Sequence, residues 1–237
     1  MKITFEDRLS DSPYVERVWR SYSESGGLFT SIAATHPMMV IEKLQGKLKL
    51  FVRGPETKAS IADCPADGEW LGIIFKFGTF MPKFPTCKLV DGDVNLPEAS
   101  QRSFWLHGST WQFPSYENAD TFVERLVRQN LLVCEPAVNR LVNGQPNDLS
   151  LRSAQRHFMR ATGLTHSDAR QIERARYATI LLRQGVSILD TVYEAGYFDQ
   201  AHLTKSLRRF IGQTPAQLMD QHSPEQLSFL YNTTVFC

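Results

Sequence analysis

Arg152, Gln155 and Arg156 fall on one face of a helix-patterned segment, and Gln200, His202 and Lys205 crowd another some fifty residues later. Both sets carry long or polar hydrogen-bonding tips. A guanidinium donates two parallel hydrogen bonds to guanine O6 and N7, and a carboxamide does the same on adenine. Ser150, Arg160, Arg208 and Arg209 flank the two sets, where they suit phosphate oxygens, contacts that position without specifying. Such tips read DNA only if rigid elements hold them outward.

The pattern supplies those elements. Ile188, Val192 and Ala195 repeat at helical period and predict a short bracing helix that ends at Gly196, where a left-handed turn is easiest. Asp199 is placed to cap a second helix, with Leu203, Leu207 and Phe210 turned inward. An earlier copy follows the same plan. Ser150 caps a helix with Leu151, Ala154 and Phe158 buried and Arg152, Gln155, Arg156 and Met159 opposite. Pro136 to Asn143 braces it, with Val138 and Leu141 inward, and Gly144 and Pro146 mark the turn. Between the copies, residues 167–183 carry Ile172, Ala175, Tyr177, Ala178, Leu181 and Leu182, a long core helix ending near Gly185. Its length, about 25 Å at 1.5 Å per residue, suits two probes one DNA turn apart. A solvated polar face is the plainer explanation of either helix alone. The repeated layout favours two helix-turn-helix units.

The quoted residues resemble the DNA-binding domain of AraC/XylS-family transcriptional regulators. The first part matches as S150-x-R152-x-x-Q155-R156-x-F158, G163-L-T165 and R174-x-R176-Y-A178-x-x-L181-L182. The second matches as I188-x-x-x-V192-x-x-x-G196-Y-F-D-Q-x-H202-L-x-K205-x-L-x-R209-F210-x-G212-x-T214-P215. His166 stands where the family has proline, and Val192 where alanine is commoner. The resemblance implies base contacts at Arg152, Gln155, Arg156, Gln200, Ala201, His202, Thr204 and Lys205. It implies double-stranded DNA as partner, two recognition helices in successive major grooves, and RNA polymerase and a second copy of the chain as further partners. It also implies an N-terminal cupin-like barrel that binds a small effector or dimerises.

The fold expected is α+β. Residues 1–115 form a β-rich regulatory domain, 116–132 a linking helix, 133–222 the DNA-binding domain and 223–237 a tail. His36 to Leu44 and Lys47 to Arg53 read as strands joined at Gln45-Gly46, Trp70 to Phe77 as another, and Asn118 to Asn130 as an amphipathic helix with Phe122 and Leu126 inward. Trp19, Phe75, Phe77, Trp105 and Trp111 offer aromatic surface for an effector pocket, and Arg53 an anchor for an acidic group. Each aromatic has core filling as its plainer role.

Charge is a modest guide. The whole chain carries +1, but residues 1–149 hold 16 Lys and Arg against 18 Asp and Glu, and residues 150–212 hold 10 against 5. Catalysis finds little footing. His36 and His107 lack neighbouring ligands at metal spacing, and Cys64, Cys87, Cys134 and Cys237 form no C-x-x-C pair. There is no phosphate-binding glycine loop and no G-x-S-x-G elbow. We expect no enzyme, no cofactor and no metal. A charged N-terminus and the lack of an eighteen-residue apolar run predict a cytoplasmic protein without a membrane partner.

Overall fold

The computed structural model describes residues 2–142 and 149–220. Its strands are β1 Ile3–Leu9, β2 Val15–Ser23, β3 Gly27–Ser31, β4 Met38–Leu44, β5 Lys47–Arg53, β6 Ser60–Cys64, β7 Gly68–Phe75, β8 Thr79–Phe80, β9 Asp93–Leu96, β10 Glu98–Ser100, β11 Ser103–Leu106, β12 Ser109–Gln112 and β13 Val133–Cys134. Its helices are α1 Thr86–Leu89, α2 Ala119–Arg128, α3 Pro136–Val142, α4 Leu151–Thr162, α5 His166–Arg183, α6 Ile188–Glu194, α7 Gln200–Phe210 and α8 Pro215–Met219. A β-rich N-terminal region thus precedes a helical one. None of these helices is long and apolar enough to cross a membrane.

The chain packs as two units whose segments interleave. One comprises residues 1–27, 36–55 and 64–165; the other comprises residues 28–35, 56–63 and 166 onward.

The first unit is built on a six-stranded antiparallel sheet in the order β1-β2-β7-β4-β5-β9. Successive side chains on a strand point to opposite faces, so register decides what meets. Val18, Ile73, Met39, Val52 and Val94 form one row across five strands; Leu71, Ile41, Leu50 and Leu96 form the next on the same face. Phe75, Phe104 and Trp111 extend this core, and α2 closes it with Phe122, Val123 and Leu126. The β4–β5 hairpin turns at Gln45 and Gly46, both with positive φ (49° and 76°), the two-residue turn whose twist matches its strands. The observed strands begin at Met38 rather than His36 and end at Phe75 rather than Phe77.

A closed cupin-like barrel was the expectation, and the structure corrects it to open sheets. β1 and β9 are the edges of the large sheet, and β10-β11-β12 and β8-β13 are separate small sheets. A barrel would require the two edges to hydrogen-bond to each other.

The second unit is organised by α5. A helix that buries most of its circumference must be covered from several sides. Ala169, Ile172, Ala175, Ala178, Leu181 and Leu182 are buried there together with Glu173, Arg176 and Thr179. α6, α7 and α8 pack on α5. Thr214 and Gln217 form a reciprocal capping box at the start of α8, with Pro215 in its first turn. The two-stranded β3-β6 sheet also belongs here. Ala34 and Glu56 exchange backbone hydrogen bonds of 2.9 and 2.8 Å and hold its two segments together.

Candidate nucleic-acid interface

α7 is set up by its two ends. The Asp199 side chain accepts the His202 backbone N–H at 2.7 Å, one of the donors a helix start leaves unpaired. Before it, Gly196 turns the chain at φ 68°, and the Tyr197 N–H donates to the Val192 carbonyl at 2.8 Å, closing α6. At the far end the Ala33 N–H donates to the Phe210 carbonyl (2.7 Å) and the Ala59 N–H to the Arg209 carbonyl (2.9 Å). Two of the last, otherwise unpaired carbonyls of α7 are thereby satisfied by backbone from the β3 and β6 segments.

Between those ends the faces separate cleanly. Leu203, Leu207 and Phe210 are buried, as expected, with Ser206 beside them. Gln200, Ala201, His202, Lys205, Arg208 and Arg209 are exposed. Three of the predicted site residues are partly engaged within the unit. The Thr204 side chain is half-buried and its Oγ1 donates to the Gln200 carbonyl at 2.8 Å. The His202 ring stands edge-on to Tyr197, with centroids 5.1 Å apart. The Arg209 guanidinium folds over the Phe210 ring at 4.9 Å.

α6 is braced against α5 from below. Arg174 Nη1 donates to the Gly196 carbonyl at 3.3 Å, and its guanidinium lies 4.4 Å from the Tyr197 ring centroid. The Tyr197 hydroxyl pairs with Ser206 Oγ at 2.9 Å. Burial raises the Tyr197 phenol above its ordinary range, against the lowering effects of Ser206 and Arg174. Ser187, unremarked in the sequence, caps α6 by accepting the Asp190 N–H at 3.1 Å. Within this unit a cleft of about 700 Å³ is lined by His166, Arg170, Glu173, Arg174, Glu194 and His202. His166 is the first residue of α5, a position where proline is also at home. Burial and then the charge of Arg170 lower the pKa of His166.

Beneath the α5 surface lies a polar pair that periodicity could not flag. Glu173 and Arg176 are 3% and 2% exposed. The Thr35 hydroxyl donates to Glu173, Arg176 Nη1 donates to the Ala33 carbonyl at 3.0 Å, and the two charges approach to 3.9 Å. Burial raises the Glu173 carboxyl pKa, opposed by Arg176 and by Thr35. It lowers that of Arg176, opposed by Glu173 and Glu56.

α4, in the first unit, repeats the outward display. Ser150 caps it by accepting the Ser153 N–H at 3.3 Å, and Ala154, Phe158 and Ala161 are buried. Arg152, Gln155 and Arg156 are exposed, and Met159 is just over a third exposed. Leu151 was expected inward and is 72% exposed. The apolar stripe runs one turn past the surface that covers it. Arg160, expected on phosphate, forms an ion pair with Glu135 at 2.9 Å, and His157 shares the same carboxylate oxygen at 2.9 Å. Burial works against that charge, but the His157 hydrogen bond and the charges of His157 and Arg160 hold the Glu135 carboxyl below its usual pKa. In the brace α3, Ala137 and Val138 are buried and Leu141 half-buried. Asn143, Gly144 and Pro146 lie outside the described residues.

The six residues expected to line an effector pocket sit in different surroundings, and none lines either of the two clefts described here. Phe75 and Trp111 are core. Phe77 packs on His36 and Phe158. Trp19 stacks on Phe5 and fills the space above Gly72. Trp105 is 47% exposed, and Arg53 lies 3.9 Å from Asp93. Aromatic content marks burial here because flat, large side chains serve a core as readily as a pocket. One open concavity of this unit is a cleft of about 690 Å³ with Arg20, Tyr22, Leu48, Trp70, Leu71 and Tyr116 in its lining. Arg20 sits 4.6 Å over the Tyr116 ring and pairs with Glu6 at 2.7 Å.

Comparison with known proteins falls on the same helices. Residues 147–221 match the family described as "Helix-turn-helix domain". No curated protein matches the chain. Among solved structures, ToxT from Vibrio cholerae is similar at 10% identity and a TM-score of 0.40, over 91% of this chain and 98% of that one. The chain therefore carries a helix-turn-helix domain at residues 147–221.

Proposed function

We propose that this protein is a sequence-specific transcriptional regulator that inserts α4 and α7 into successive major grooves of double-stranded DNA. The observation that carries the reading is α7 itself. It is capped by Asp199, anchored by Leu203, Leu207 and Phe210, and lined outward by Gln200, Ala201, His202 and Lys205. Lys205 and Gln200 read bases in the second module, and Arg152, Gln155 and Arg156 in the first. Arg208 and Arg209 meet phosphates, with Ser150 and Arg160 as flanking contacts of α4. The N-terminal β-rich part modulates DNA binding through a small effector or through a second copy of the chain, and RNA polymerase is the partner downstream. The cleft beside Arg20 and Tyr116, with apolar Leu48 and Leu71 and a charged rim, suits an effector with an apolar body and a polar end.

Selection of the full-length protein on random duplex DNA at fixed salt tests this reading. One motif should be enriched. On that duplex Arg156→Ala and Lys205→Ala should each weaken binding by about 1–3 kcal/mol, the worth of a good base contact. Arg209→Ala should instead reduce the log–log salt slope by about one and leave sequence choice unchanged. A selection that enriches nothing, or substitutions that leave the selected duplex equally well bound, would remove the basis for the proposal.

A further inference from the structure

Phe198 is 91% exposed, more than any other large hydrophobic residue among those described. It stands in the turn between α6 and α7, one residue before the cap Asp199. A hydrophobic side chain at that position commonly packs on the fourth residue of the helix that follows. Here that residue is Leu203, which is fully buried while the Phe198 ring stays in solvent. The ring thus contributes little to folding. Its place is nevertheless fixed on both sides. Tyr197 is buried and bonded to Ser206, and Asp199 holds the His202 N–H. Exposed Gln200 and Ala201 follow directly.

The leading residues of a recognition helix are the ones that meet base edges. The major groove offers one apolar group, the C5-methyl of thymine, and phenylalanine is among the side chains that contact it. We propose that Phe198 is a base-reading residue that lays its ring against a thymine methyl group at the N-terminal end of α7. The assignment rests on the DNA-reading function proposed above. Leu189 and Tyr193 are also exposed, at 73% and 87%, but they lie on α6. The first helix of such a motif crosses the phosphate backbone, which offers an apolar side chain no partner. A protein docked on all three is the outcome the test must separate.

The test uses the duplex that the full-length protein selects. Each thymine is replaced in turn by deoxyuridine, which keeps the base pair and deletes the methyl group. The unmodified protein should lose about three- to fivefold in affinity at one position within the segment read by α7, the effect of one methyl returned to water. Phe198→Ala should bind the original duplex more weakly by at least that factor and be indifferent to deoxyuridine at that position only. Phe198→Leu, still apolar, should keep part of the sensitivity. Thermal melts of both variants should match the parent, since the ring is outside the core. Equal deoxyuridine responses in parent and Phe198→Ala at every position would overturn the assignment. So would undiminished affinity of Phe198→Ala for the original duplex, which is what a protein-docking role gives. A parent protein that selects no sequence overturns the function and this assignment together.

Discussion

Arg176 keeps its charge at any ordinary pH, so its burial beside Glu173 commits the second unit to holding an ion pair out of water. Arg176→Met removes the cation and leaves the carboxyl buried, still accepting the Thr35 hydroxyl but without its counter-charge. Breaking such a pair costs roughly 3–5 kcal/mol. The sign of its pH dependence follows from Glu173. Burial already raises that carboxyl above 4.5, and loss of Arg176, whose charge lowers it, raises it further. A group with a raised folded pKa stabilises fully below its unfolded value and loses that contribution as pH rises. The deficit of Arg176→Met should therefore be largest at neutral pH and shrink toward pH 4.5. Urea unfolding of both proteins across that range checks it, and a deficit that grows on acidification would show that the pair is organised differently. Neither residue declared itself in the sequence. Arg176 stood in the sequence only as part of R174-x-R176 and Glu173 not at all, because burial of a charge depends on what lies opposite, here Thr35 and Ala33 from far along the chain.

Asp199 is the clearest case of an element fixed by one side chain. Asp199→Ala removes the acceptor for the His202 N–H and should lower stability by about 1 kcal/mol, whereas Asp199→Asn, an equally good cap, should keep most of it. Denaturant midpoints at constant slope separate the two; equal losses would mean that the carboxylate acts through charge rather than as an acceptor. Local signals of this kind are why the helices were legible. Ser150, Gly196 and Asp199 punctuate α4, α6 and α7 where expected, and the β4–β5 hairpin followed from Gln45-Gly46. The exposed tips of α4 and α7 were legible for the same reason, since a face is set by spacing within one helix. Leu151 failed because a stripe does not tell how far its cover extends. The surroundings of the effector aromatics were not legible because residue type alone does not separate core from cavity, and the strand order of the large sheet rests on pairings that no local pattern encodes.

The widest departure from the linear order of the chain lies in the second unit. Residues 28–35 and 56–63 pack there with α5 to α8. Their main-chain N–H groups at Ala33 and Ala59 finish α7, and Gly212 lies so close to Thr30 that a Cβ would come within 2.9 Å of its methyl carbon. Main-chain donors leave no mark in composition, so a domain drawn as 133–222 omits them without warning. A fragment of residues 133–222 should consequently be markedly less stable than the full chain, with the amides of α7 exchanging faster than those of the intact protein. Hydrogen exchange on both checks this, and equal protection of α7 would show the two strands to be dispensable. A hybrid protein could be made by joining a foreign N-terminal part to this chain at such a border. For this chain a hybrid would inherit foreign strands at the very end of α7. The transferable cassette is a discontinuous one, in which the two short strands must travel with the helices they finish.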